Sequence, residues 1–213
     1  ADYARELAEK EENPQRKAEL LQIAANCDVV PAHKPQTFWQ AIQTYWFTHL
    51  AVTSGLNPWD AYSPGHFDQH LAPFYEKDVE DGILNRDQAL ELLECLWIKF
   101  NNQPAPPKVG ITLKESSTYT DFALELLECL WVKFNNQPAP PKVGITLKES
   151  STYTDFANIN TGGVTPEGHD GVTEVSYIIL DAMDNMRLVQ PNSNVQISRK
   201  NPQKFLKRAC EIA

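Results

Sequence analysis

Apolar residues recur with a helical period over most of the first hundred positions, and the pattern shortens to strand-like alternation only near the end of the chain. Residues 1–12 are charged and helical in pattern, the tail of a helix. Asn13-Pro14 opens a second helix, with asparagine as N-cap and proline at the first helical position, where its missing N–H costs nothing. Ala18, Leu21 and Ala25, with Leu20 and Ala24, give that helix an apolar face, and it ends near Cys27-Asp28. Thr37 begins a third helix, rich in aromatics (Phe38, Trp39, Tyr45, Trp46, Phe47), and so much aromatic surface predicts a place deep in a core. Ser54 to Gly65 reads as a loop, punctuated by Gly55, Asn57-Pro58 and Ser63-Pro64-Gly65. A helix from about Phe67 carries Leu71 and the Phe74-Tyr75 pair. Asn85, with Gln88 three residues on, forms a capping box for the helix around Leu90–Leu93.

The last quarter differs. Phe156-Ala-Asn-Ile-Asn-Thr-Gly-Gly163 reads as a strand that ends in a glycine turn. Val172, Val175, Ile179, Ala182 and Met186 then lie at helical spacing, so a helix over Val172–Met186 should pack on that strand. Val195-Gln-Ile-Ser198 alternates as a short strand would. Strand, helix, strand in that order predicts a right-handed parallel βαβ unit. The fold class expected is mainly α with a few parallel strands.

One feature interrupts this order. Residues 90–123 recur as residues 124–157, and the copies differ only at Ile98 and Val132. A period of 34 matches the tetratricopeptide repeat, but Pro104-Ala-Pro-Pro107 and its copy Pro138-Ala-Pro-Pro141 break any helix in mid-unit. Near-identity points to a recent tandem duplication or, the reading favoured here, to two variants of one segment joined in assembling the sequence. One copy should hold a core position and the other be extraneous. Equal, deep burial of Trp97 and Trp131 would count against that.

Composition narrows the class. With 213 residues, 42% of them hydrophobic and 22% charged, the chain can bury a core and is not disordered. A net charge of −9 argues against a nucleic-acid partner. No apolar run approaches the ~20 residues of a membrane span, and the charged start does not resemble a signal peptide. Cys27, Cys95, Cys129 and Cys210 form no Cys-x-x-Cys pair. They are expected to be inert, buried thiols of a cytoplasmic protein.

Several separated patterns together resemble the glycyl radical enzymes, a family that includes pyruvate formate-lyase, choline trimethylamine-lyase, isethionate lyase, and the diol and hydroxyproline dehydratases. They are Thr37-Phe38, Ala41 and Gln43; Gly65, Asp68-Gln69; Phe74-Tyr75 and Asp78; Phe156, Asn158 and Gly162-Gly163; Gly168, Asp170 and Ser176-Tyr177; and Gln190-Pro191. The resemblance covers most of the chain outside the duplication, and makes residues 1–213 part of one pyruvate formate-lyase-like domain. It implies a portion of an α/β barrel with its helical outer layer. It also implies thiyl-radical chemistry that breaks a C–C or C–heteroatom bond of a small polar metabolite. The glycyl radical would be installed by a separate radical S-adenosylmethionine activating enzyme, and the intact protein would be a homodimer with no other bound cofactor. Two departures from the family pattern are His66, where arginine is usual, and Thr173, where asparagine is usual.

No Gly-Cys-Val-Glu pattern for the thiyl cysteine and no Arg-Val-x-Gly-Tyr pattern for the radical glycine occur between Ala1 and Ala213. The resemblance implies that both lie beyond Ala213, so no catalytic residue is assigned, and the chain by itself is expected to be inactive. The resemblance also implies that Phe156 lines the substrate cavity; on residue type alone it is plain core. Asn158, Asn160 and Gln190 are candidates to bind hydroxyl or carboxylate groups, with pairing to barrel backbone as the equal alternative. His66 and His70 have the spacing of a helical zinc pair but lack a third ligand beyond Asp68, so no metal is expected. Neither a phosphate-binding lysine after Gly162-Gly163 nor a Gly-x-Ser-x-Gly elbow is present. Two other readings remain open: formate C-acetyltransferase itself, and a non-enzymatic helical interaction protein built on the duplication.

Overall fold

The structure is a computed structural model, and it describes residues 1–53, 62–102, 157–188 and 191–212. Helices α1 (Asp2–Lys10), α2 (Pro14–Val29) and α3 (Phe38–Ala51) are followed by a two-residue strand, β1 (Gly65–His66), and by α4 (Phe67–Glu80) and α5 (Arg86–Asn102). Then come β2 (Asn158–Gly162), α6 (Glu174–Met186), β3 (Asn192–Gln196) and α7 (Gln203–Ile212). The mainly α reading with a few parallel strands holds. The three strands form one parallel sheet in the order β1-β2-β3.

Local chemistry sets most helix starts. The Asn13 carboxamide accepts from the Gln15 and Arg16 amides at 2.9 and 3.1 Å, the cap its position before Pro14 predicts. Asn85 and Gln88 bond reciprocally, amide to side chain, at 2.9 and 3.0 Å at the head of α5. Thr173 and Ser176 form a further capping box on α6, so threonine at this position still supplies the cap oxygen. Caps of this kind contribute about 1 kcal/mol each.

Packing corrects several expectations. On α2 the buried positions are Leu20, Ala24 and Asn26, while Leu21 is 48% exposed and Ala18 and Ala25 also face out. The apolar stripe is therefore narrower than the sequence suggests, because α1 and α3 cover only one side. On α3, Phe38, Ala41, Ile42 and His49 are buried, but Trp39, Tyr45, Trp46 and Phe47 are only half-buried. The second strand of the βαβ unit runs over Asn192–Gln196 rather than Val195–Ser198, since only those residues find partners along β2. Gly65, expected at the end of a loop, starts β1. Cys95 and Cys210 are exposed and Cys27 is half-buried, so the expectation of buried thiols fails for all three; Cys129 lies outside the described residues.

Among the described residues the core falls into two clusters. Phe38, Leu71, Leu93, Leu96, Trp97, Phe100, Ile159, Val175, Ile178 and Ile179 form one cluster, and Leu180, Phe205 and Ala209 form a second beneath β3. Helix α6 sits between them and is buried on nearly every side, as a helix wedged between a sheet and three other helices must be. Trp97 of the first copy is 2% exposed, whereas Trp131 of the second lies outside the described residues.

Candidate functional site

In the sheet, Gly65 pairs with Ile159 and His66 with Asn160, while Asn158, Asn160 and Gly162 stand beside Asn192, Asn194 and Gln196. Paired residues of neighbouring strands point to the same face. One face therefore carries Ile159, Thr161 and Val195 against α6 and α7, and both Ile159 and Thr161 are buried. The other face carries His66, Asn158, Asn160, Asn192, Asn194 and Gln196. Those six side chains are half-buried or exposed, and all but the imidazole are carboxamides.

Two sequence candidates, Asn158 and Asn160, come together on this polar face. The Asn158 amide N–H donates to Ser63 Oγ at 3.0 Å. The other two, Phe156 and Gln190, lie outside the described residues. So does Ala213, the residue beyond which the thiyl cysteine and the glycyl loop are expected, and the described chain stops one residue short of it, at Ile212. The expectation that no catalytic residue precedes Ala213 therefore rests on the missing motifs alone. Asn194 escapes a sequence reading that starts the second strand at Val195. The alternation of amides over Asn192-Ser-Asn-Val-Gln196 is the signal that could have found it, together with Gln196.

The motif residues do something else. Strand β1 stops after His66, and continuing its register would set residue 68 opposite Gly162. There the side chains of Asp68 and Gln69 replace the missing strand. The Gly162 N–H donates to Asp68 Oδ2 at 2.7 Å, and the Gln69 carboxamide N–H donates to the Gly162 carbonyl at 3.1 Å. Asp68 is fully buried and also accepts from the Ser176 hydroxyl at 2.5 Å and from the Gln69 amide at 2.8 Å. Burial raises its carboxyl above the ordinary range, and the bonds from Ser176, Gly162 and Gln69 oppose that rise only in part.

The glycine pair that follows is gripped as firmly. Gly162 and Gly163 have φ of +81° and +72°, and a Cβ on Gly162 would lie 2.5 Å from the Phe205 ring and 2.8 Å from the Gln196 carbonyl. The Gly163 N–H donates to the Gln196 carbonyl at 2.8 Å, and its carbonyl accepts from the Asn201 carboxamide at 2.6 Å. Asn201 also donates to Asp170 at 2.7 Å. Further off, Asp78 Oδ2 accepts from the Phe38 amide at 2.7 Å and so pins the start of α3 to α4. Asp68, Gln69, Asp78, Gly162, Gly163, Asp170 and Ser176 are thus braces that hold β2 and its neighbours in place.

His66 and His70, the pair with zinc spacing, lie on adjoining elements. His66 belongs to β1, whereas His70 lies on α4 and lines an open groove of about 370 Å³ with Tyr45, Tyr62, Phe67 and Phe74. Among the described residues no cluster of three or more histidines, cysteines or acids could hold an ion. No described helix is long and apolar enough to cross a membrane.

Comparison with known proteins agrees with the motifs. The family model described as "Pyruvate formate lyase-like" matches residues 1–124 and 113–213. A trans-4-hydroxy-L-proline dehydratase from Clostridioides difficile is 62% identical over 213 residues, which are the whole of this chain and 23% of that protein. A crystal structure of hydroxyproline dehydratase from the same organism, with trans-4-hydroxy-L-proline bound, superimposes with a TM-score of 0.77 at 61% identity, over 99% of this chain and 22% of that one. A glycyl radical enzyme from Archaeoglobus fulgidus gives a TM-score of 0.71 at 34% identity, with the same two coverages. The chain therefore spans between a fifth and a quarter of the length of these relatives.

Proposed function

Since this chain belongs to the pyruvate formate lyase-like family, whose relatives here are glycyl radical enzymes, we propose that the whole protein is a glycyl radical dehydratase of a small hydroxylated amino acid, with trans-4-hydroxy-L-proline as its first candidate substrate. The observation that carries this reading is the identity to the hydroxyproline dehydratase, far above that to the archaeal enzyme over the same residues. On this reading the protein is a cytoplasmic homodimer that meets its substrate and a radical S-adenosylmethionine activating enzyme. The glycyl radical, once installed, would supply the hydrogen abstraction that starts loss of water. The residues of this chain would do the binding. Asn158 and Asn160 stand on the polar face and suit a hydroxyl or carboxylate, and Phe156 and Gln190 join them on sequence grounds. Asp68, Gln69 and Ser176 hold that face still.

We read one copy of the 34-residue segment as surplus. The two matched ranges of the family overlap within the repeated stretch, as they would if a pattern that passes this segment once met it twice. In support, the capping box and the Arg86 ion pairs to Glu174 and Asp181 precede the first copy alone, because Tyr119, Thr120 and Phe122 occupy the equivalent positions before the second.

A single long read across the source locus would give the full reading frame and the number of copies. The protein so defined would be activated without oxygen and offered trans-4-hydroxy-L-proline, 1,2-propanediol and glycerol. The expected result is loss of water from trans-4-hydroxy-L-proline with little from the diols. Preference for a diol, or no turnover of any of them while electron paramagnetic resonance shows an installed glycyl radical, would sink the reading.

A further inference from the structure

On the polar face one row is set apart. His66, Asn160 and Asn194 stand side by side across β1, β2 and β3, in register on both ladders. Neighbouring strands lie roughly 4.8 Å apart, so the row spans about 10 Å, the reach of a small metabolite with two polar ends. The carboxamides of Asn160 and Asn194 have no hydrogen-bond partner among the described residues. His66 is different, because its Nδ1 lies 3.4 Å from Gln69 Nε2. That same nitrogen donates to the Gly162 carbonyl, which fixes it as the amide nitrogen of Gln69 and leaves its second hydrogen for His66. The imidazole thus accepts at Nδ1 and carries its proton on Nε2. The row then offers three N–H donor groups that nothing in the described fold consumes, one imidazole N–H and two carboxamide NH2 groups, beside two carboxamide oxygens.

Charge completes the picture. No described acidic residue occupies a strand position on this face, where the six side chains are five carboxamides and one imidazole. A carboxylate has two oxygens with about four acceptor sites, so it can take several of these N–H groups at once, whereas a hydroxyl offers a single oxygen. An imidazole beside a carboxylate also makes a charge-assisted bond, the stronger kind.

We infer that His66, Asn160 and Asn194 form the carboxylate-recognising row of the substrate face, with His66 its specificity-determining member and Gln69 the residue that sets its tautomer. This deepens the function proposed above and rests on it for the presence of a carboxylate substrate. The row selects hydroxylated acids over simple diols.

The test is calorimetric, on the full-length protein before activation, when the substrate binds without reacting. The titrants are trans-4-hydroxy-L-proline, L-proline, which lacks the hydroxyl, and 3-hydroxypyrrolidine, which lacks the carboxylate. Replacing His66→Ala should weaken both carboxylates by about tenfold and leave 3-hydroxypyrrolidine unchanged, as the loss of one charge-assisted bond would. His66→Gln, which keeps a neutral donor of similar reach, should recover part of that loss. Thermal melting of each variant checks that the fold is intact, and Asn194→Ala serves as a second probe should His66→Ala fail to fold. Equal carboxylate affinity in the wild type and a folded variant, an equal loss for 3-hydroxypyrrolidine, or no carboxylate binding to the wild type overturns the inference. If L-proline binds in a His66-dependent way but trans-4-hydroxy-L-proline is not turned over, the dehydratase reading fails and the carboxylate row stands.

Discussion

The two faces of the small sheet obey different rules. Behind it, Ile159 and Thr161 are buried against α6, and every polar group of Gly162 is taken by a side chain from α4. In front, five carboxamides and an imidazole stand half-buried or exposed, and the side chains of Asn160, Asn192, Asn194 and Gln196 bond to nothing described. Buried polar groups cost free energy unless they are paired, and the bonds to Gly162 meet that demand, although the buried Thr161 hydroxyl has no partner among the described residues. The front is free of that demand and can be kept for a ligand. The difference teaches that the most recognisable residues of this chain are not its chemistry. Asp68, Gln69 and the glycine pair brace β2, while the binding candidates are plain amides placed by register.

Mutations should separate the faces. The largest effect is expected from Gly162→Ala, where a side chain would meet the Phe205 ring and the Gln196 backbone at a φ of +81°. A loss of about 3 kcal/mol or more, read as a lower denaturation midpoint, is the expected outcome. Retention of wild-type stability would mean that the turn is not braced as described.

Next comes Asp68. Asp68→Ala strands the Gly162 N–H and the Ser176 hydroxyl, and should cost about 2–4 kcal/mol. Asp68→Asn keeps the acceptor for Gly162 and should cost much less. The pH dependence separates burial from bonding. Burial raises the folded carboxyl above its ordinary value of 3.8, so the folded state binds the proton more tightly than the unfolded state. Stability from this group is therefore highest below 3.8 and falls as pH rises through the window up to the folded value. Wild-type stability measured against Asp68→Asn should decline across that window and then level off. A rising difference would reverse the sign and show a carboxylate stabilised by its bonds.

The smallest effect on stability belongs to the front. Asn160→Ala and Asn194→Ala should shift unfolding by no more than about 0.5 kcal/mol, since neither side chain bonds within the described fold. A larger loss in either would show that the amide supports the sheet and would blur the contrast between the faces.

Much of the architecture was legible because it is written in neighbouring residues. Asn13-Pro14 and the Asn85/Gln88 pair announce helix starts through bonds that span two or three positions. The run Val175, Ile179, Ala182 announces the buried side of α6 through its period. Strand β1 escaped notice because two residues carry no period. The limits of β3 escaped because polar alternation on an open face gives no apolar stripe to read. Leu21 misled because an apolar residue on a helix says nothing of whether a neighbour will cover it.

By itself the sequence determined the helix starts, the order of strand, helix and strand, the family, and the candidacy of Asn158 and Asn160, all through contacts or patterns a few residues wide. Only the tertiary structure decided what the motif residues do. Asp68 reaches Gly162 across 94 positions and Ser176 across 108, and no local pattern encodes a bond that exists only when β1 stops short and a side chain completes the sheet. The alignment of His66, Asn160 and Asn194 belongs to the same class, because strand register is fixed by what is buried behind the sheet.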